Sequence, residues 1–211
     1  MLDRRGIFTL FATAALAVAV ALPAMAATVL PSSFAGKAIG TGSGSLTDDG
    51  KTLTIKGAGA DIQDADTDAF YFVSTPVSGD GNITAHLTGA KGGADDGGER
   101  VGLMIRGDLD TDSAHATINE SNNNYGLSLN WRDAKGGTDT HESGYGFRTF
   151  PLWLRAQRTG NQVTGYFSTD GQLWSATNTK TVALGATANF GLAVASHDDS
   201  VTMTTLAFRL T

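Results

Sequence analysis

The chain has 211 residues, 15 Lys+Arg against 21 Asp+Glu, with 41% hydrophobic and 17% charged residues. That balance leaves enough apolar material for a core and excludes disorder and a coiled coil; an acidic chain without a basic run is also excluded as a nucleic-acid binder. Cysteine is absent, which removes disulfides, cysteine-ligated zinc, iron–sulfur clusters and a catalytic thiol.

Arg4 and Arg5 open the chain, an apolar stretch runs over 7–22, Pro23 breaks it, and Ala24-Met25-Ala26 supplies small residues at a cleavage site. This order predicts a secretory signal peptide over residues 1–26, because the apolar run is shorter than the ~20 residues a spanning helix needs. The paired arginines fit either an ordinary basic start or twin-arginine export. Residues 27–45 are small and Gly/Ser-rich and read as a leader, and 46–211 read as one domain. No second apolar span follows, so no stable membrane insertion is expected after cleavage, and the product is placed outside the cell or in the periplasm.

The remainder shows period-two alternation rather than a helical period. Strands are predicted over 51–56, 70–75, 82–88, 101–106, 114–119, 125–131, 152–158, 162–167, 190–196 and 202–210. Turn residues separate them: Asp48-Asp49-Gly50, Gly79-Asp80-Gly81, Gly92-Gly93, Thr159-Gly160-Asn161 and Asp170-Gly171. Glycine and asparagine accept positive φ at such turns, which accounts for a glycine count of 27, nearly twice the usual share of ~7%. Ten or more short strands in one domain predict an all-β, antiparallel two-sheet jelly-roll sandwich. Alternation then sorts the faces. Leu103 and Ile105, Leu152 and Leu154, and Phe190, Leu192 and Val194 are expected between the sheets. Trp131 shares their side through Leu127 and Leu129. Met104 with Arg106, and Trp153 with Arg155, point the other way.

Six motifs occur in order: Asp61-Ile62-Gln63, Asp68-Ala69-Phe70-Tyr71-Phe72, Gly79-Asp80-Gly81-Asn82-Ile83-Thr84-Ala85, Gly102-Leu103-Met104-Ile105-Arg106, Pro151-Leu152-Trp153-Leu154-Arg155 and Ser168-Thr169-Asp170-Gly171-Gln172-Leu173-Trp174. In these, from about residue 57 to 208, the chain resembles bacterial secreted concanavalin A-like domains. This is the family sometimes labelled "regulation of enolase", and it is similar to the C-terminal domain of β-xylosidases. The resemblance implies a sandwich of the lectin/glucanase superfamily and an association with polysaccharide handling. It implies no reaction.

Catalysis finds no constellation. Glu99, Glu120 and Glu142 do not lie in the paired spacing that places an acid and a nucleophile across a glycosidic bond. The histidines at 86, 115, 141 and 197 form no ligand pair, and Gly42-Ser43-Gly44 lacks the spacing of a nucleophile elbow. Sugar recognition uses aromatic rings with Arg, Asn or His beside them. The candidate ligand residues are Trp153, Arg155, Arg106, His86, Tyr166 and Asn130. For Trp153 and Tyr166 plain packing is the competing reading, and for the two arginines, pairing with Asp61 or Asp80. Arg106 and Arg155 are expected to share one face, with Trp153 as a stacking floor. Trp174 ends an Asp-Gly hairpin and is expected to pack that turn. Asp64-x-Asp66-x-Asp68 and Asp108-x-Asp110-x-Asp112 open like calcium loops but lack the later Gly and Glu, so Ca2+ is a possible cofactor and none is required. The partner expected is an extracellular glycan; an envelope protein is the alternative, and a glycan-active hydrolase or lyase comes third.

The first test is of export. N-terminal sequencing of secreted protein should begin at Ala27, and an intact Met1 in a membrane fraction would overturn the cleavage.

Overall fold

A computed structural model describes residues 33–49, 52–62, 67–94, 96–121 and 126–210, with side chains up to 207. The expected signal peptide, the strand starts at Lys51 and Tyr125, and Asp64 and Asp66 lie outside the described residues. Fourteen strands follow in order: β1 (Ala35–Ile39), β2 (Ser43–Asp48), β3 (Thr52–Gly59), β4 (Phe70–Ser78), β5 (Gly81–Gly92), β6 (Arg100–Arg106), β7 (His115–Ser121), β8 (Leu127–Arg132), β9 (Thr140–Glu142), β10 (Leu152–Thr159), β11 (Gln162–Ser168), β12 (Ser175–Thr181), β13 (Thr187–Ala195) and β14 (Asp198–Leu210). They form two seven-stranded sheets. The first runs β1-β4-β13-β6-β7-β8-β9 and the second β12-β11-β10-β5-β14-β3-β2. Every pairing between neighbouring strands is antiparallel.

The ten predicted strands are present, and all seven residues expected between the sheets are fully buried. Two packed sheets need one apolar face from each strand, and alternation supplies it. Ile83, Ala85 and Leu87 of β5 and Leu152, Leu154 and Ala156 of β10 meet Leu103, Ile105, Ile118 and Leu192 of the first sheet in one cluster. Trp131 packs partly buried against it. Where the sheets approach closely the side chain is deleted: a Cβ on Gly165 would stand 2.9 Å from Ile118 Cβ, and one on Gly57 2.8 Å from Val194 Cβ. A close approach of this kind admits only glycine.

Four strands were not predicted: β1, β2, β9 and β12. They are the four sheet edges. An edge strand can be held by backbone hydrogen bonds along one flank with little apolar alternation, and β1 and β2 are mostly exposed. The reading of residues 27–45 as a leader is therefore corrected over its described part, since β1 and the start of β2 lie within it. The turn chemistry also narrows. Among the described residues positive φ belongs to glycines and to His197 at 63°, and to no asparagine.

The largest departure concerns the first sheet. Its face away from the core is also buried: Phe70, Phe72, Met104, Ala193 and Ala195 pack with Ile39 and Ile62. All seven residues of β6 are buried. No helix among the described residues is long and apolar enough to cross a membrane.

Leu154 is fully buried at the centre of the sandwich. Leu154→Ala should cost ~2–5 kcal/mol in chemical denaturation, through lost burial and the cavity left behind; a cost below ~1 kcal/mol would be that of a surface site.

Candidate functional site

Alternation gives each strand an inner and an outer side, but not the sheet that the strand joins. The six candidate residues therefore separate. Arg106 on β6 and Asn130 on β8 lie on the outer face of the first sheet, and both are 0% exposed. His86 on β5, Trp153 and Arg155 on β10 and Tyr166 on β11 lie together on the outer face of the second sheet, all half-buried. The expectation that Arg106 and Arg155 share a face is corrected, because their strands belong to opposite sheets.

Arg106 is committed to the interior. Its Nη2 lies 3.1 Å from Asp68 Oδ2, its Nε donates to Asp108 O at 2.7 Å, and its guanidinium stands 5.2 Å from the Phe70 ring centroid. The other Asp68 oxygen accepts from Arg132 Nη2 at 2.8 Å. Asp68 thus carries two buried guanidiniums, and the partners expected for the arginines are used elsewhere: Asp61 accepts from Arg100 at 3.2 Å and Asp80 from the Gly160 N–H at 2.6 Å. His115 completes the group. Its Nε2 lies 2.7 Å from Asp139 Oδ2 and its Nδ1 3.2 Å from Thr117 Oγ1. Burial pulls the imidazole down to about 3, opposed by the charge of Asp68 and aided by those of Arg106 and Arg132. A neutral ring fits both contacts, with Nε2–H donating to Asp139 and Nδ1 accepting from the threonine hydroxyl. Asn130 is similarly enclosed, its Oδ1 accepting from Asn119 Nδ2 at 2.8 Å beside Ser128.

Asp68, His115 and Asp139 offer three donor atoms within 4.8 Å of one another. The spread is consistent with a divalent ion such as Ca2+. The fit is incomplete: a ring nitrogen departs from the all-oxygen shell of Ca2+, and both Asp68 oxygens already serve guanidiniums. Asp108, Asp110 and Asp112 converge instead on an ammonium. Lys135 Nζ lies 2.8 Å from Asp108 and 3.7 Å from Asp112, and it also contacts Asp110.

The outer face of the second sheet is built differently. Trp153 stands opposite His86 on β5 and Ser168 on β11. The imidazole of His86 stacks on the indole at 4.4 Å between centroids and 11° between planes. On the other side, Gly171 follows β11; a Cβ there would come within 2.9 Å of Trp153 Cε2, and its φ of 71° independently favours glycine. Trp153 is therefore held between the His86 ring and the turn at Gly171 and is not an open stacking floor. Trp174 exchanges roles with it. Arg155 lies over the Trp174 ring at 4.1 Å and donates from Nε to Thr84 Oγ1 at 3.0 Å. The intervening turn is rigid. Asp170 Oδ1 accepts from the N–H groups of Gln172 and Leu173, each at 2.8 Å, and from Ser168 Oγ at 2.9 Å. Those bonds hold the Asp170 carboxyl below its ordinary range. Desolvation lowers His86, which favours a neutral ring. Trp174 was missed as a candidate because its hairpin suggested packing; the missing signal was the arginine placed over it from β10.

Of the three glutamates, Glu142 is tied to Lys180 Nζ at 2.7 Å and to Tyr145 Oη at 2.7 Å. Glu120 is 2% exposed, and its Oε1 accepts from the Arg148 N–H at 3.3 Å.

With this geometry in view, the molecule is a concanavalin A-like β-sandwich, the class its two seven-stranded sheets define. No protein-family model and no curated protein sequence matches the chain. Solved structures do. A functionally unknown protein from Saccharomyces cerevisiae is similar at 15% identity and a TM-score of 0.65, over 87% of this chain and 97% of that one. The carbohydrate-binding module CBM66 from Bacillus subtilis is similar at 17% identity and a TM-score of 0.54, over 83% and 93%. The exoplasmic/lumenal domain of VIP36, in a Ca2+/Man2-bound form, is similar at 12% identity and a TM-score of 0.51, over 85% and 82%. These likenesses join the chain to lectins and carbohydrate-binding modules in fold.

Burial raises the Glu120 carboxyl from 4.5 to about 7. The folded state thus holds this proton more tightly than the unfolded state, and the associated stability is present below pH 4.5 and lost as pH rises through about 7. Glu120→Gln mimics the protonated group. It should raise the melting temperature above wild type at about pH 8 and leave it unchanged at about pH 4. Equal shifts at both would mean that Glu120 does not titrate in this range.

Proposed function

We propose that the chain is a secreted or periplasmic binding module that recognises a glycan on the outer face of the second sheet and has no catalytic centre of its own. The observation that carries this reading is the convergence of His86, Trp153, Arg155, Tyr166 and Trp174 on three adjacent strands and one braced turn. Half-buried rings beside guanidinium, imidazole and hydroxyl groups are what a preformed sugar site needs: apolar surface with a few fixed donors and acceptors. Arg155 is already oriented by Thr84 and Trp174, so a sugar hydroxyl meets it without an ordering cost. The likeness in fold to a carbohydrate-binding module and to lectins supports the same reading.

A specific feature favours the second reading, an envelope-protein partner. Leu173 lines a cleft of about 290 Å³ with Arg148 and Phe167, and Leu173 is 81% and Phe147 70% exposed. Large exposed apolar side chains around a cleft are a feature of protein-binding surfaces.

A glycan array on the mature protein tests the proposal. Wild type should bind at least one glycan, and Arg155→Ala and Trp174→Ala should each weaken it about tenfold with little change in melting temperature. Absence of binding to any glycan would sink the reading. The array should give the same result with EDTA as with Ca2+. Ca2+-dependent binding, or a melting temperature raised by Ca2+, would assign an ion to the Asp68, His115 and Asp139 group.

A further inference from the structure

Resting on that reading, we infer that the ligand is an anionic, extended polysaccharide. It would run along β5 from the Arg155–Trp174 pair to a second cationic subsite formed by Lys56 and Lys91. The register places this subsite. Thr204 of β14 pairs with Lys91 of β5 on one flank and with Lys56 of β3 on the other. Directly paired residues project from the same face. Thr205 beside them is buried, and Lys56 and Lys91 are exposed, so the two ammonium groups flank Thr204 on the outer side. At ~4.8 Å per strand spacing their Cα atoms are about 10 Å apart. Neither lysine makes an ion pair among the described residues.

A groove extends from Lys91 along β5 toward the aromatic group. Thr88, Gly89, Lys91, Thr204 and Leu206 line a groove of about 480 Å³. A Cβ on Gly89 would meet nothing within 4 Å, so the floor there is open. Its formation follows from the pairing: β5 and β14 slip register at Leu206/Ala207, and β5 carries Thr88 as an extra residue. A bulge bends its strand and re-aims the side chains beside it. Thr88 is two residues from His86 on β5. From Thr84, the partner of Arg155, to Lys91 the strand covers about 20 Å at its usual rise. That length suits several consecutive sugar rings.

Charge distribution specifies the ligand's sign. The chain holds 21 acidic residues, yet β3, β5, β10, β11 and β12 contain no Asp or Glu. The carboxylates in the second sheet stand at strand ends, Asp48 closing β2 and Asp198 and Asp199 opening β14. An acidic protein has thus kept carboxylates out of β3, β5 and β10, the strands that carry Lys56, Lys91 and Arg155. Neighbouring strands with cations and no carboxylate of their own attract anions. Carboxylate on a uronic acid and sulfate on a sulfated sugar offer the same charge, and the geometry accommodates either.

Binding of polygalacturonate, dextran sulfate and unmodified dextran should be measured at low and high salt. The proteins are wild type, the Lys56→Gln/Lys91→Gln double variant and Lys37→Gln on the exposed β1, each with its melting temperature. Wild type should bind an anionic polymer and not dextran, and salt should weaken it. The double variant should lose about tenfold, the scale of two exposed charge contacts. Lys37→Gln should bind as wild type. Preference for polygalacturonate over dextran sulfate would identify the anion as carboxylate, and the reverse as sulfate. Equal binding of dextran, an unaffected double variant, or an equal loss in Lys37→Gln would overturn the anionic subsite and leave the glycan reading intact. Failure of every polymer here together with every glycan on the array would overturn both.

Discussion

One carboxylate, Asp68, is shared by the guanidiniums of Arg106 and Arg132. All three groups are buried, and a buried charge is tolerable only when it is paired and hydrogen-bonded. Asp68 comes from the segment before β4, Arg106 from the end of β6 and Arg132 from the end of β8, so their pairing fixes a connecting segment against the outer face of the first sheet. The backbone agrees: the Asp68 N–H donates to Thr111 O at 2.8 Å, and Arg106 donates to the carbonyls of Asp108 and Asp110. One face of the sandwich is thereby closed. The other outer face keeps its rings and cations only half-buried.

The two faces use similar residues to opposite ends. On the first sheet, buried arginine, histidine and asparagine are held by Asp68, Asp139 and Asn119, and their worth is structural. On the second, His86 and Gly171 hold Trp153 in place, and Asp170 holds the turn that carries Gly171 and leads to Trp174. This braced group remains open to solvent. Rigid support beneath half-exposed groups lowers the cost of ordering them around a ligand.

Much of this was legible in the residues. Period-two alternation found the ten inner strands and, in β6, β10 and β13, the residues that face the core, because a strand between two neighbours in a packed sheet must carry apolar residues on the core side. It could not find β1, β2, β9 and β12, which lie at the sheet edges and carry less of that pattern. Nor could it assign strands to sheets. Arg106 and Arg155 each alternate away from an apolar pair, and the same local pattern led one into a buried ion pair and the other onto a tryptophan ring. Trp153 and Trp174 exchanged roles for a related reason: contacts across β5, β10 and β11 depend on register, which neither hairpin encodes alone. His115 looked solitary because its partners Asp68 and Asp139 come from segments far away in the chain.

Polar edges also govern how copies of this chain meet. A sheet edge offers unpaired N–H and C=O groups to any passing strand, and long apolar edges seed fibrils. Here the edges read Ala-Gly-Lys-Ala-Ile, Ser-Gly-Ser-Leu-Thr-Asp, Thr-His-Glu and Ser-Ala-Thr-Asn-Thr-Lys-Thr. A strand added to any of them would gain backbone hydrogen bonds but bury little apolar surface, and each of the four carries a charged residue. The sparse hydrophobicity that concealed these strands from the sequence pattern thus protects the folded chain from edge-to-edge aggregation.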